Sequence, residues 1–108
     1  MIVLKNNTVR VRCMECKQEH FIEISHVCTD KQQRSLGYEY EHTYHGEMNC
    51  LKCGEKMKVE FRIFEYPKEW VNYIDKTAEG CFIMGEIKHD DNIVEFNVDE
   101  NEESNRKF

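Results

Sequence analysis

Apolar and polar residues alternate along much of the chain, and strict alternation marks a strand with one face buried. The clearest run sets Met57, Val59, Phe61 and Ile63 against Lys58, Glu60 and Arg62. Over residues 8–13, Val9, Val11 and Cys13 fall on one face and Thr8, Arg10 and Arg12 on the other. Between 38 and 49, Tyr38, Tyr40, His42 and Tyr44 oppose Glu39, Glu41, Thr43 and His45. Shorter strands are predicted at 2–4, ahead of the polar turn Asn6-Asn7, and at Phe21-Ile22-Glu23-Ile24. Cys81–Met84 and Ile93–Val98, the latter with Val94, Phe96 and Val98 on one face, flank a turn at His89–Asn92 and predict a C-terminal hairpin.

Two stretches carry helical signals instead. Thr29 with Gln32 three places on resembles a capping box, and Gly37 is placed to end a short helix from Asp30 to Leu36. Pro67 suits a first helical turn, Trp70, Tyr73, Ile74 and Thr77 recur at helical spacing, and Gly80 is a stop, so a second helix is predicted over 67–78. The expected fold is mainly β, a zinc-ribbon-like antiparallel sheet with two knuckles, one or two short helices and the C-terminal hairpin. One domain over residues 1–98 would have its metal core at about 8–66 and a helix and hairpin at 67–98. The polar, acidic segment 99–108 is expected to be a disordered tail.

The alternation leads into two cysteine pairs. Cys13-Met14-Glu15-Cys16 and Cys50-Leu51-Lys52-Cys53 each place two residues between the sulfurs, and 33 residues separate the pairs. A Cys-x-x-Cys turn aims two thiolates at one point about 2.3 Å from each sulfur, and two such turns complete a tetrahedron. One structural Zn2+ held by Cys13, Cys16, Cys50 and Cys53 is therefore expected. The plainer alternatives are buried reduced thiols or redox pairs. The long intervening segment does not oppose a shared ion, since doubling a loop adds only ~0.6 kcal/mol of closure entropy.

Composition narrows the function classes. The 108 residues carry a net charge of −6, with ten Lys/Arg against nine Asp/Glu over 1–62 and five against twelve over 63–108. Four thiolates and one zinc would bring the total to about −8. Such acidity disfavours non-specific DNA binding, which rests on phosphate contacts and counterion release. No apolar run approaches the ~20 residues that span a bilayer, and the first residues lack the pattern of a signal peptide. A cytoplasmic location without membrane contact is expected, where reduced thiols favour metal over disulfides.

Strand, Cys-x-x-Cys, strand, twice over, with Gly54 after the last cysteine, resembles the zinc-ribbon fold group across about residues 8–66. The resemblance implies a small antiparallel β module around one zinc, in a group whose members commonly bind nucleic acid or protein. The chain departs from the usual pattern in its long inter-pair segment and in carrying Lys17, not glycine, after the first pair.

Among the remaining residues, Cys81 in its apolar run suits the core, whereas Cys28 follows His26 and Val27 in a segment with no clear pattern. His20, close to the first knuckle, is in reach of a hydrogen bond there but is expected to be a solvent-exposed polar residue. His42 and His45 fall on opposite strand faces and cannot chelate one ion together. No acid–base pair set in a cleft, phosphate-cradling loop or serine-nucleophile motif points to an enzyme or a small-molecule substrate.

Three functions follow. The first is a non-catalytic adaptor that docks on an unidentified protein through the stiffened knuckle tips, Met14, Glu15, Leu51 and Lys52. The second is a nucleic-acid-binding ribbon using Arg10, Arg12, Lys58 and Arg62, with Tyr38, Tyr40 and Tyr44 as stacking platforms. The third is a rubredoxin-type electron carrier, in which the same four thiolates hold iron.

Overall fold

The computed structural model describes residues 2–98, so the expected acidic tail at 99–108 lies outside the described residues. Among the described residues, ten strands form three sheets. The largest is an antiparallel meander of β4 (Ser25–Arg34), β5 (Gly37–Asn49), β6 (Lys56–Glu65) and β7 (Val71–Glu79). A second sheet places β2 (Thr8–Cys13) between β3 (Glu19–Glu23) and β8 (Cys81–Ile83). In the third, β10 (Ile93–Val98) runs antiparallel to β9 (Glu86–Asp90) and parallel to β1 (Val3–Leu4).

The inner face of the meander makes one side of the core. Met57, Val59, Phe61 and Ile63, the alternating set of β6, are all fully buried. Val9, Val11 and Ile22 from the second sheet and Val94 and Phe96 from the third pack against them. Phe61 and Phe96 meet with ring centroids 4.8 Å apart, joining the meander to the third sheet. Burying each such side chain contributes about 1.5–3 kcal/mol. Gly46 of β5 lets β3 cross close above it, because a Cβ there would run into the Glu23 carbonyl oxygen and the Ile22 side chain.

Two asparagines fasten β10: Asn6 ties the connection between β1 and β2 to it, and Asn97 ties it to β2 of the second sheet. The Asn6 amide donates to the Phe96 carbonyl (3.0 Å) and accepts from the Phe96 N–H (2.9 Å), standing in for a strand residue. Asn97, at φ 65°, accepts from the Arg10 N–H (2.7 Å) and donates to the Thr8 carbonyl (2.8 Å).

The structure overturns both expected helices: the described residues contain none. Residues 30–36 belong to β4 and to the tight turn Ser35-Leu36, with Arg34 paired to Gly37. Every residue of β4 is exposed, so no buried stripe marked it as a strand. Gly37, at φ 111°, serves the hairpin turn in place of a helix stop. Residues 67–78 divide between a turn and β7, which runs along β6 from Glu65 back to Lys58. Trp70 and Tyr73 stay exposed, so their helical spacing never marked a buried face, while Val71, Ile74 and Thr77 favour a strand. Pro67 lies in a turn closed by the Trp70 N–H on the Pro67 carbonyl (3.0 Å) and the Tyr66 N–H on the Trp70 carbonyl (2.9 Å).

The C-terminal hairpin is also differently composed. β9 and β10 form it around Asp91-Asn92, whereas β8 leaves it to pair with β2, Cys81 opposite Cys13. No helix long and apolar enough to cross a membrane exists among the described residues.

Candidate metal centre

Each cysteine pair closes the tip of one hairpin, and the two tips are built alike. At the first, between β2 and β3, the Cys13 N–H donates to the Gln18 carbonyl (2.9 Å) and the Lys17 N–H to the Cys13 carbonyl (3.0 Å). At the second, between β5 and β6, the Cys50 N–H donates to the Glu55 carbonyl (2.7 Å) and the Gly54 N–H to the Cys50 carbonyl (2.9 Å). The residue after each pair must take a left-handed backbone: Gly54 at φ 81° and Lys17 at φ 68°. Lys17 thus fills a position that suits glycine, and its Nζ donates to the Met14 carbonyl across the tip (2.9 Å).

The two hairpins belong to different sheets yet bring their tips together. The four sulfurs of Cys13, Cys16, Cys50 and Cys53 all lie within 4.8 Å of one another and can hold a metal ion. Cys13 and Cys53 sulfurs are 3.6 Å apart, and those of Cys16 and Cys50 3.5 Å. A zinc tetrahedron with ~2.3 Å bonds has S···S edges of about 3.8 Å, so the spacing fits such an ion with little adjustment. The arrangement is consistent with a zinc-ribbon-like pair of knuckles. Cys13 and Cys50 are buried, Cys16 is half-buried and Cys53 is exposed at the rim.

The electrostatics also ask for a cation. Burial opposes ionisation of Cys50, but the Cys53 and Lys52 amides, His20 and the Cys16 thiol bring it down to about 5. At Cys53 the Glu55 amide favours the thiolate, yet desolvation and the sulfurs of Cys13, Cys50 and Cys16 push it up to about 12. One thiolate forms readily and the last resists; a divalent ion held by the four sulfurs would relieve the repulsion by displacing the remaining protons.

His20 belongs to this centre. It is buried, not solvent-exposed as expected, and its Nε2 lies 3.1 Å from the Cys50 sulfur. Its place on β3 opposite Val11 carries it inward beside the cluster. Its closeness to the first pair was the only hint in the sequence.

The other candidates fall elsewhere. Met14, Glu15, Leu51 and Lys52 are all exposed at the tips, Leu51 at 86%. Arg10 and Arg12 lie on the outer face of the second sheet, opposite Phe21 and Phe82 respectively, whereas Lys58 and Arg62 lie on the outer face of the meander. The basic set is therefore divided between two sheets. Tyr40 and Tyr44 are half-buried and Tyr38 exposed. Cys81 is in the core, where burial raises its thiol pKa, and Cys28 is exposed on β4.

Compared with models of known families, with curated proteins and with solved structures, the chain matches none.

Proposed function

We propose that the chain is a zinc-clamped docking module. The ion serves to pin the β2–β3 and β5–β6 tips together, and the paired tips present one rigid surface to a protein partner. The observation that carries this reading is the exposure of apolar side chains on a part of the molecule held so tightly. Leu51 is 86% exposed and Met14 43%, and Phe82, 48% exposed, adjoins them through Lys17, whose Nζ lies 5.6 Å from its ring centroid. Large apolar side chains on a preorganised surface cost little ordering entropy when a partner covers them. Lys17 and Lys52 beside them favour a partner with carboxylates at the rim.

Zinc is favoured over iron by the role: two closed knuckles, with no sulfur left over for exchange, suit an ion that does no redox work. A colourless protein containing one zinc supports this; a red protein containing iron supports the electron carrier. Nucleic-acid binding has less behind it. Arg12 lies 3.3 Å from Glu19, Arg62 3.3 Å from Glu60, and Lys58 3.7 Å from Glu79, so these cations already face carboxylates.

The test is Leu51→Asp. Affinity purification of wild type and variant from the native cell, with quantitative mass spectrometry, should show a partner lost from the variant while elemental analysis finds its zinc unchanged. An identical set of partners would refute docking through the tips.

A further inference from the structure

A second group of functional side chains lies at the other end of the meander, about 25 Å along β5 from the knuckle. Thr29 Oγ1 stands 2.9 Å from His42 Nδ1, and His42 Nε2 stands 2.7 Å from Glu65 Oε1. Glu65 is 2% exposed, and its other oxygen accepts the Glu69 N–H at 2.7 Å. His26 Nε2 lies 2.7 Å from the same Thr29 hydroxyl. Hydroxyl, imidazole and buried carboxylate thus stand in line across three adjacent strands.

The backbone explains the alignment. Thr29 pairs directly with His42, and Glu65 pairs with Tyr40, two residues from His42 and so on the same face. His26 and Thr29 are three residues apart and would ordinarily face opposite ways. A bulge between His26 and Cys28 adds one residue to β4, so His26 pairs with Tyr44 and Thr29 with His42, which share a face.

The proton positions follow. Burial works against ionisation of Glu65, yet with the Glu69 amide and His42 bonded to it the carboxyl lies below its ordinary value, so it is ionised at neutral pH. An acceptor on Nε2 requires His42 to carry its proton there. In the tautomer with its proton on Nε2, His42 presents a lone pair at Nδ1, 2.9 Å from Thr29 Oγ1 and placed to accept the hydroxyl proton. His26 Nε2, 2.7 Å from Thr29 Oγ1, is placed to donate to the remaining lone pairs of that oxygen. This geometry sets the Thr29 hydroxyl beside a base on an exposed strand.

We propose that Thr29 is an activated nucleophile, with His42 as its base and Glu65 positioning His42, and that it accepts acyl groups from small activated esters. Thr29 Oγ1 attacks the ester carbonyl carbon while its proton passes to His42 Nδ1. The bond to the leaving alcohol breaks, and that oxygen takes the proton back from His42. The products are acyl-Thr29 and free alcohol. Water can return Thr29 by the same transfers, giving up one proton to His42 as it attacks, with the carboxylic acid released. Aryl esters suit the site because aromatic rings flank it: Tyr40 stacks on His42 at 6.1 Å, and Tyr44 meets His26 edge-on at 5.4 Å.

The test uses the metal-loaded full chain carrying Cys28→Ser, which removes the exposed neighbouring thiol, and p-nitrophenyl acetate as the probe. Peptide mass spectrometry should place an acetyl group on Thr29, with surface lysines as an internal control labelled equally in all variants. His42→Gln should slow labelling of Thr29 by about 100-fold, within the range for loss of a general base. Thr29→Ser should keep it, and Thr29→Ala should abolish it at this position. In Glu65→Gln, imidazole 15N shifts should register a weaker bond from His42 Nε2–H to the neutral amide oxygen as labelling falls. No acetyl on Thr29, or labelling at an unchanged rate in His42→Gln, overturns the proposal; should Glu65→Gln fail to fold, the His42 and Thr29 variants still decide it.

Discussion

His20 Nε2 and the Cys50 sulfur lie 3.1 Å apart, linking β3 of one sheet to the knuckle that ends β5 of another. With the proton on Nε2, the ring donates to the thiolate and spreads its charge without becoming a ligand. The geometry makes His20 part of the metal centre's surroundings, which in metal sites are tuned by such bonds. His20→Phe keeps a ring of similar volume but removes the donor. Metal affinity should fall about 10-fold, as read by competition with a chromogenic chelator.

Removing the metal should unfold more than the tips. The four sulfurs are the meeting point of the β2–β3 and β5–β6 hairpins, and structural zinc contributes about 10–16 kcal/mol of apparent binding free energy. Without it, buried Cys13 and Cys50 face like-charged or protonated sulfurs. Chelation should abolish the cooperative thermal transition and most near-ultraviolet dichroism, both restored by added zinc. A metal-free protein that melts at the same temperature would contradict the clamp.

The two tips should respond oppositely to glycine. Left-handed backbone costs a non-glycine residue roughly 1–2 kcal/mol. Gly54→Ala meets no atoms within 4 Å of its new Cβ, so its cost of about 1 kcal/mol is backbone strain alone. Lys17→Gly releases that strain but gives up an exposed bond to Met14 and the contact of its Nζ with the Phe82 ring, so it should stabilise by less than the ~1–2 kcal/mol of the strain itself. Denaturant melts of the metal-loaded variants would measure both.

Gly46→Ala should be far more damaging. Its Cβ would meet the Glu23 carbonyl, which is backbone and cannot swing away, along with Ile22 and Ile24 side chains. The cost should reach or exceed the ~1–3 kcal/mol typical of overpacking, and β3 should separate from β5, exposing its amides to hydrogen exchange.

Glu65 gives the pH dependence a definite sign. Its pKa is lower in the folded chain than the ordinary carboxylate value, so between the two values the unfolded chain binds more protons. The stability it contributes is complete above the ordinary value of about 4.3 and is lost as pH falls through the lower, folded value. The stability gap between wild type and Glu65→Gln should accordingly narrow as pH drops through that window, in parallel denaturant melts.

Local patterns in the sequence determined the strands with one buried face, because a period of two is imposed by the backbone itself: β2, β6 and β10 alternate as their burial requires. The spacing of the two cysteine pairs likewise pointed to their convergence, since a knuckle is a local turn. Tertiary structure alone decided the rest. β4 is exposed throughout and owes its form to pairing with β5, which overrode a capping-box signal. β7 owes its form to β6, which overrode a helical spacing whose aromatic members never became buried. The parallel pairing of β1 with β10 and the transfer of β8 to β2 join residues some 70 to 90 positions apart, beyond any local pattern. The same holds for Thr29, His42 and Glu65: only register across three strands, and one added residue in β4, sets a hydroxyl against an imidazole and a carboxylate.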